Sequence, residues 1–556
     1  MKNKKEHIIL YLLLAVGITL TLIYIFRTST AILNSDSVIT DVIAHNQRLT
    51  GQFILKDWYY GNEFWLFSLT IPTYILSFVI KNNLLLRQIC VLITGIIFFI
   101  LLYIYGKKFL SKKDTLLLIT IFASGISYSV LDYFYAFNAY LTVVINSIIL
   151  FFLYYKSFEE KEKNKLYLVL SIIFTFLFSM GSLRYIPTVT IPFILTELLL
   201  LFISNYKNNN MLKKIIRDKK INAICILVIG SMVSLLMYKY ITMTYHFEAR
   251  ASSGNISTSF QIDYLIEAFK SLMGCIYNFF GFDNKNHPYT LFIGKYYFLK
   301  QHKDFSFLSL TGIAYIIKMI MCSFVIVLCP IILLKNYKKN NKNINFLLIF
   351  NAISWIILIY IFIVSSSFFH HYLELKYFLF NILINFILAL YCISKYYNKL
   401  IHILIILYII SNLYTNYIVI REHNDKVINK RIKLVEKLKE NNLTFGYGEF
   451  WEGLIINFFS DYKIEVATMQ YDMQPYRWYS KESIYKKNYH KGKVFIIFNK
   501  INDFRKHYYE FKYGKADKTI KYDQYTILIY NKNPLVNGFK EVKHEKITYY
   551  NNSLFE

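Results

Sequence analysis

The sequence has 556 residues, of which 55% are hydrophobic and only 18% are charged, and its mean hydropathy is +0.36. This composition excludes a disordered chain and a soluble protein of this size, and six cysteines are too few for a small disulfide-rich scaffold. The net charge of +28 does not indicate nucleic-acid binding, because the basic residues fall in clusters between apolar segments rather than on one soluble face. We therefore predict a polytopic α-helical membrane protein.

Apolar stretches of about 17–25 residues, the length that crosses a bilayer as a helix, recur along the chain. The first follows three lysines as a signal peptide would, but it exceeds the usual ~7–15-residue signal core, so we interpret it as a retained anchor. The sequence predicts about eleven spans, near residues 8–26, 86–105, 114–131, 139–155, 166–183, 186–204, 221–241, 311–334, 345–364, 374–393 and 400–419.

The distribution of lysine and arginine predicts the orientation of these spans. If the N-terminus is cytoplasmic and the apolar stretch 64–80 lies in the outer interface instead of crossing, every basic loop falls inside the cell. An odd number of spans then places residues 421–556 outside the cytoplasmic membrane. The basic loops are Lys107–Lys113, Lys156–Lys165, Lys207–Lys220, Lys335–Lys342 and Lys395–Lys399.

Two domains follow from this pattern, a membrane domain over residues 1–420 and a soluble extracytoplasmic domain over residues 421–556. The membrane domain carries two large outer loops, 27–85 and 242–310. Residues 260–281, inside the second loop, have the pattern of an interfacial amphipathic helix.

The terminal domain begins with a charged helical pattern at 421–440 and continues with the strand-like runs VFIIFNK at 494–500 and YTILIYNKN at 525–533. This succession predicts a small α/β domain. Its segment GYGEFW, at 446–451, has two glycines but lacks the third that a dinucleotide-binding loop requires. The whole sequence contains no Walker loop and no HExxH, CxxC or GxSxG motif.

Polar residues near the predicted outer ends of spans are candidates for chemistry, because charges near membrane depth are costly. The segment NSDSVITDV, just past the first span, contains Asp36 and Asp41, and His45 follows. The acids are either solvated loop residues, with Asp36 as a helix cap, or a base or metal ligand above the membrane. Arg184 is either a snorkelling anchor or the cation that a lipid-linked phosphate would require.

A late outer loop, FFHHYLELKYFLF, contains His370, His371, Glu374 and Lys376. Adjacent histidines point apart, and a zinc site requires three or four converging ligands, so we do not expect these two to share a metal. Glu374 and Lys376 are more consistent with a paired or interfacial couple.

These residues, in this order, resemble bacterial integral-membrane glycosyltransferases of the GT-C fold, a superfamily that includes the oligosaccharyltransferase catalytic subunit, protein mannosyltransferases and aminoarabinose lipid A transferases. Asp36 matches the acidic residue of the first extracytoplasmic loop. The run TGQFILKDWYYGNEFW at 50–65, which includes Trp58, is similar to a stretch of one bacterial branch. Further matches are Asn138 before the fourth span, Arg184 and Pro187 after the fifth, and Trp451, Arg477 and Trp478 in the terminal domain.

The chain departs from that branch at two positions. Ser182 stands where an acid often precedes the arginine, and Lys376-Tyr377 stands where the branch has Arg-Tyr.

The resemblance implies an inverting transfer of a sugar from a polyprenyl-phosphate donor to a cell-envelope glycan, lipid or protein. Asp36, with Asp41 as a second candidate, would activate the acceptor, and Arg184 and Lys376 would hold the donor phosphate. No cofactor is required, and metal dependence stays open because relatives with and without a divalent cation exist. The implied substrate-binding residues are His45, Trp58, Asn138, Tyr185, His371, Trp451 and Trp478.

Other interpretations remain. Trp451 and Trp478 also fit core aromatics of a small domain. The protein as a whole could be a polysaccharide polymerase or ligase, a transporter of lipid-linked glycans, or a degenerate relative that scaffolds an envelope complex. A transporter should show charges at mid-span or paired broken helices. Glu197 and Lys318 lie within predicted spans, but the sequence shows no repeated halves.

Overall fold

A computed structural model describes the fold over twelve stretches of the chain. They are residues 2–61, 63–137, 139–158, 164–205, 215–245, 262–281, 308–364, 374–397, 399–422, 426–470, 474–499 and 503–539. The chain divides into two compact units. We call Met1–Ile54 with Gly61–Asn429 the membrane unit, and Leu55–Tyr60 with Lys430–Glu556 the terminal unit.

The regular secondary structure in the described residues of the membrane unit is helical. Short π-helical turns at Tyr24–Thr28, Asp132–Ala136, Ile186–Thr190 and Phe324–Leu328 adjoin helices of this unit. In chain order, these helices are α1 Lys2–Ile23, α2 Ser29–Ile32, α3 Ser35–Thr50, α4 Thr70–Leu76, α5 Asn83–Phe109, α6 Lys112–Ala123, α7 Tyr128–Leu131, α8 Ala139–Ser157, α9 Asn164–Gly181, α10 Ile191–Asn205, α11 Lys219–Thr244, α12 Ile262–Phe279, α13 Leu310–Ser323, α14 Cys329–Lys335, α15 Lys342–Val364, α16 Leu379–Tyr396 and α17 Lys399–Glu422.

Eight helices of the described residues are long and apolar enough to cross a bilayer, and a ninth span results if the bent pair α6 and α7 is counted as one. Two further predicted spans correspond to shorter apolar helices, Lys165–Gly181 and His402–Ile418. The polytopic helical architecture is therefore confirmed, and the total of eleven spans stays a prediction. The eight are His7–Ile32, Asn83–Phe109, Tyr140–Ser157, Ile186–Asn205, Lys220–Thr244, Leu310–Lys335, Lys342–Ile363 and Leu379–Tyr396.

The stretch 64–80 contains only α4, whose seven residues are too short to cross a bilayer. Helix α12 falls within the predicted amphipathic stretch 260–281. It buries Leu272 and Ile276 in the core of the membrane unit, whereas Phe269, earlier on the same side of the helix, is exposed. The interfacial placement of this helix stays a prediction.

The predicted span 114–131 is broken. Helix α6 ends at Ala123, and the chain turns by 88° before α7, with positive φ angles at Gly125 (+78°) and Ile126 (+30°). Backbone carbonyls freed at such a break need partners inside a membrane protein. Side chains of neighbouring helices supply them: the Thr21 hydroxyl donates to the Ala123 carbonyl, Asn416 Nδ2 to Ser124 and Lys318 Nζ to Ile126.

The terminal unit is built around a five-stranded sheet in the order β2-β1-β3-β5-β4. Strands β1, β2 and β3 run parallel, and β5 pairs antiparallel with β3 and β4. The α/β class predicted for this region is therefore confirmed. The elements are α18 Lys426–Glu440, β1 Phe445–Glu449, α19 Phe450–Phe459, β2 Glu465–Met469, β3 Val494–Asn499, α20 Asp503–Tyr513, β4 Lys518–Tyr522 and β5 Tyr525–Tyr530.

Alternate side chains of the strands pack on opposite faces of the sheet. One core contains Leu434 of α18 and Ile456 of α19, and the other contains Tyr509 of α20. The glycines of GYGEFW serve this packing: a Cβ at Gly446 would lie 2.6 Å from the ring of Phe495. Both glycines lie within strand β1, so close packing accounts for them and a phosphate-binding loop is not needed to explain them.

The terminal unit also takes in six residues of the first predicted outer loop, so the predicted boundary between residues 420 and 421 is wrong in one respect. Tyr59 N donates to the Ser480 carbonyl at 2.8 Å, and Ser483 N donates to Asp57 Oδ1 at 2.8 Å. Trp58 is only 2% exposed. A compact soluble unit lies on one side of a bilayer, so residues 55–60 and 430–539 share a side.

That shared side requires an even number of crossings between residues 60 and 430. Counting the bent pair as one span, eight of the nine spans in the described residues follow residue 60, and adding both shorter apolar helices keeps the number even.

A labelling experiment tests this topology. In a variant without native cysteines, we expect Lys56→Cys and Lys491→Cys to react with a membrane-impermeant maleimide from the same side of the membrane. Lys107→Cys, one crossing away at the far end of α5, should react only from the other side. Labelling of positions 56 and 491 from opposite sides would contradict the assignment.

A buried carboxyl group gives the terminal unit a pH-dependent stability. Glu452, in the first turn of α19, is buried, which raises its pKa from 4.5 to about 7. The side chain of Asn499 and the charge of Arg431 lower this pKa, whereas the charge of Glu449 raises it. Between pH 4.5 and 7 the unfolded carboxyl loses its proton while the folded one retains it, so stability decreases as the pH rises through this window.

We expect the unfolding free energy of the terminal unit to fall by roughly 2–3 kcal/mol between pH 4.5 and pH 8, measured by pulse proteolysis of the full-length protein in detergent. Glu452→Gln should remove this dependence, because the amide mimics the protonated acid. Glu436→Gln, at an exposed position of α18, should leave the dependence unchanged. If the unfolding free energy of Glu452→Gln still falls as the pH rises, another titrating group causes the dependence.

Candidate functional site

A cluster of charged and aromatic side chains surrounds Arg184 in the turn between α9 and the π-helical turn Ile186–Thr190. Arg184 Nε forms an ion pair with Glu63 Oε1 at 2.5 Å, and both side chains are largely buried. The guanidinium carbon lies 4.7 Å from the ring centre of Tyr377, 5.6 Å from that of Trp65 and 5.7 Å from that of Tyr140. An arginine held by a carboxylate and three rings has a fixed position, which a snorkelling anchor does not require.

Lys376 approaches the same aromatic surface. Its Nζ lies 5.4 Å from the ring centres of both Tyr140 and Tyr377. The two predicted phosphate ligands, Arg184 and Lys376, therefore contact the same two rings, although 192 positions separate them in the chain. Two cations and one carboxylate give this cluster a positive charge, which suits an anion.

The backbone near Trp65 is built to present its ring to Arg184. Trp65 has φ = +55°, a conformation that a bulky residue rarely adopts and that the surrounding structure must stabilise. The Trp65 carbonyl accepts hydrogen bonds from the hydroxyls of Ser68 and Thr70, and Phe64 N donates to the Gly181 carbonyl at 3.2 Å. These bonds tie the segment to the end of α9, beside Arg184.

The two predicted catalytic acids have different environments on α3. Asn34 caps this helix, because its side chain accepts from Ser37 N, so the alternative that Asp36 is the cap is wrong. Asp36 is exposed in the first turn of the helix. Five residues correspond to about 140° of helix rotation, so Asp41 points to a different side.

Asp41 is buried and forms an ion pair with Arg87 of α5, and Arg87 also donates to the carbonyl of Ala136. A buried carboxylate committed to such a pair joins three segments together and does not reach solvent. This geometry indicates a structural role for Asp41 and leaves Asp36 as the acid that a substrate can approach. A neighbouring acid, Asp132, accepts a hydrogen bond from the hydroxyl of Tyr24.

The remaining predicted substrate ligands are dispersed. His45 is half-buried on α3, and Tyr185 is buried with its hydroxyl accepting from Asn146 Nδ2 at 3.0 Å. Trp58 and Trp478 are buried, which fits the alternative of a core aromatic for Trp478, and their role in substrate binding stays a prediction. Trp451 is 46% exposed, so for this residue the alternative of a core aromatic is wrong. Asn138 and His371 lie outside the described residues.

Four residues of this cluster, Glu63, Trp65, Tyr140 and Tyr377, were not among the site residues predicted from the sequence. Glu63 and Trp65 lie at the end of the run TGQFILKDWYYGNEFW, and Tyr377 directly follows Lys376. Their nearness in sequence to predicted residues is the feature that could have identified them. Tyr140 stands only two positions after Asn138.

Among the residues that the structure describes, no group of three or more His, Cys, Asp or Glu side chains could hold a metal ion. No model of a known protein family matches this chain, and no characterised protein is significantly similar to it in sequence.

Proposed function

We propose that this protein is an inverting membrane glycosyltransferase that moves a sugar from a polyprenyl-phosphate donor to a cell-envelope glycan, lipid or protein. The observation that carries the proposal is the meeting of Arg184 and Lys376 over the rings of Tyr140 and Tyr377. Within the described part of the membrane unit, this is the cluster whose charge and aromatic surface best fit a lipid-linked sugar phosphate.

The two cations would act on the leaving group. Departure of the sugar concentrates negative charge on the phosphate, and preorganised cations in a partly buried site stabilise that charge more in the transition state than in the bound donor. Glu63 would act as a positioning residue, since its bond to Nε fixes the guanidinium plane over Tyr377. The planar guanidinium also suits two hydrogen bonds to one phosphate.

Asp36 would act as the base. The acceptor hydroxyl gives its proton to the Asp36 carboxylate, and its oxygen bonds to the anomeric carbon as the bond from that carbon to the phosphate oxygen breaks. The electron pair of the broken bond stays on the phosphate. Attack from the face opposite the leaving group inverts the configuration, through an oxocarbenium-like transition state.

Residues 55–60 and the C-terminal part of the terminal unit lie on the same side of the membrane. This supports the predicted topology, in which the first large loop and the terminal domain are both extracytoplasmic. Under this proposal the N-terminus is cytoplasmic and the protein lies in the cytoplasmic membrane. The donor would enter from the outer leaflet, where nucleotide sugars are scarce.

Complementation of a deletion strain, with profiling of envelope glycans, tests the proposal. We expect deletion to remove one sugar decoration and Asp36→Asn to fail to restore it at a normal protein level. Asp57→Asn, in the same loop, keeps an acceptor oxygen for Ser483 and should restore the decoration. Full restoration by Asp36→Asn would refute the catalytic assignment.

A transporter of lipid-linked glycans is the second candidate, favoured by the broken helix pair α6 and α7. Lys318 is buried beside this break, and its Nζ also donates to the Thr415 hydroxyl at 2.7 Å. Broken helices and intramembrane charges occur at transport sites. In that case deletion should abolish a whole envelope polymer, Lys318→Met should reproduce the loss, and Asp36→Asn should be tolerated.

A further inference from the structure

One end of the sheet in the terminal unit carries an excess of positive charge. The chain reaches this end just before β1, β3 and β4 and just after β5, because β4 runs parallel to β3 while β5 runs the opposite way. The segments at this end, 439–444, 488–493, 514–518 and 531–534, contain six lysines and two acids. We call the six lysines the basic end, and they are Lys439, Lys491, Lys493, Lys515, Lys518 and Lys532.

The two acids of these segments have other partners. Glu440 forms an ion pair with Lys437, earlier on α18, at 2.9 Å. Asp517 accepts a hydrogen bond from Asn531 N at 2.7 Å. Within the part of the chain that the structure describes, no lysine of the basic end forms an ion pair with an acid, and all but Lys493 are exposed. The charge of the basic end is therefore available to an anion from outside the chain.

Hydrogen bonds hold the segments of the basic end together. Lys493 Nζ donates to the Asn441 carbonyl at 2.8 Å, and Lys518 Nζ donates to Asn441 Oδ1 at 2.9 Å. The Tyr530 hydroxyl donates to the Gly514 carbonyl at 3.1 Å. Because an ammonium group has three donors, Lys493 and Lys518 can bind an anion while they remain bonded to the same asparagine. Two ammonium groups are thus held close together before any ligand arrives.

The opposite end of the sheet has nearly balanced charges and lies where the chain enters this unit. Lys430, early in α18, forms an ion pair with Asp523, which lies between β4 and β5, at 3.0 Å. Arg431 is next to Lys430, and the acids Glu449 and Glu452 lie at the end of β1 and just after it. Helix α18 then runs for 15 residues, about 22 Å, to the basic end. This distance from the attachment point favours a soluble partner over the bilayer.

A repeated negative charge suits this surface better than a single small anion. Several ammonium groups without acidic partners create a positive potential, which attracts polyanions. A polymer that carries phosphate or carboxylate groups at intervals can contact several lysines at once and releases its bound counterions when it does so, which adds to the affinity.

We propose that the basic end binds a polyanionic polymer, whose phosphate or carboxylate groups contact Lys493, Lys515 and Lys518. The identification of this polymer as a cell-envelope glycan rests on the proposed function, because it requires an extracytoplasmic terminal unit. The binding itself does not depend on sugar transfer. The terminal unit would then attach the protein to a charged polymer.

Fluorescence anisotropy with the purified full-length protein in a nonionic detergent tests this binding. The probes are fluorescein-labelled polyphosphate and polygalacturonate, with labelled neutral dextran as the negative control. We expect binding of a charged probe and not of dextran, and the probe that binds more tightly identifies the anionic group. Raising NaCl from about 50 mM to about 200 mM should weaken binding by about 10–100-fold, because counterions are released. Failure of both charged probes to bind, or equal binding of dextran, would overturn the proposal.

A charge-removal variant locates the surface. Lys493→Gln, Lys515→Gln and Lys518→Gln together should weaken binding by about tenfold or more at low salt, because three contacts to the polymer are lost. Glutamine keeps an N–H donor for Asn441, so the segments stay connected.

A second triple variant is the matched control. Lys430→Gln, Lys433→Gln and Lys521→Gln remove the same charge from α18 and from the far end of β4, and should weaken binding by less than about twofold. Equal losses in the two variants would show that only net charge matters, and the basic end would not be a site. Asp36→Asn should bind polymer like the native protein, so loss of transfer with retained binding separates a failure of the proposed function from a failure of this site.

Acetylation of lysines, measured by mass spectrometry on the full-length protein in lipid nanodiscs, identifies what covers the basic end. We expect the polymer that binds to protect Lys515 and Lys518 and to leave Lys433 reactive. Replacement of phosphatidylcholine by phosphatidylglycerol in the nanodisc should not change the reactivity of Lys515 and Lys518. Protection of these two lysines by phosphatidylglycerol without polymer would assign the basic end to the bilayer and overturn the proposal.

Discussion

Replacement of Arg184 by glutamine should reduce sugar transfer by about 10²–10³-fold, the usual effect of removing one preorganised group that stabilises transition-state charge. The physical reason is specific to this residue, because Glu63, Trp65, Tyr140 and Tyr377 hold the guanidinium in one position. The measurement is transfer from a polyprenyl-phosphate sugar by the purified protein, together with the envelope glycan profile of the complemented strain.

Three comparisons identify the cause of such a loss. Arg184→Lys keeps the charge but not the planar fork, so it should recover only a small part of the activity. Glu63→Gln should lower activity less than Arg184→Gln does, since it loosens the guanidinium without removing it. Arg421→Gln, at an exposed position near the end of α17, should transfer sugar at the native rate. Native activity in Arg184→Gln would refute the donor-phosphate assignment.

Replacement of Trp58 by alanine should destabilise the terminal unit by about 3–5 kcal/mol, the usual cost of truncating a buried large aromatic. Trp58 belongs to the terminal unit although it lies in the first predicted outer loop, and its side chain is only 2% exposed. The bonds of Asp57 with Ser483 and of Tyr59 with Ser480 hold the segment around it. Pulse proteolysis of the full-length protein measures this change.

Lys56→Ala provides the matched control, because this neighbouring side chain is exposed and its loss should change stability by less than about 0.5 kcal/mol. Equal resistance of the Trp58→Ala and native terminal units to the protease would show that residues 55–60 do not belong to this unit.

Most helices of the membrane unit could be predicted from the sequence, because long apolar runs have few alternatives in a bilayer. The break in the span 114–131 could not, since the apolar pattern continues through it and positive φ angles at Gly125 and Ile126 produce the turn. Strands β3 and β5 were evident as apolar runs bounded by polar residues. Strand β4, whose side chains are mostly exposed, has no such pattern.

The candidate site was predicted in part. The resemblance identified Arg184 and Lys376, but their carboxylate and aromatic partners come from separate segments, and no local pattern joins Glu63 or Tyr140 to them. The burial of Trp58 depends on contacts with residues more than 400 positions away in the chain, such as the bond between Asp57 and Ser483. Spacing in a sequence contains no information about such a contact.

Because residues 55–60 belong to the terminal unit, this unit can fold only after its C-terminal part has been synthesised. Ribosomes synthesise this segment almost 400 residues before the first strand of the sheet. Until the last strand has been synthesised, the terminal unit cannot form around this segment. Folding of the terminal unit is therefore a late, long-range step, and a chain truncated before residue 430 would display Trp58 to chaperones and proteases.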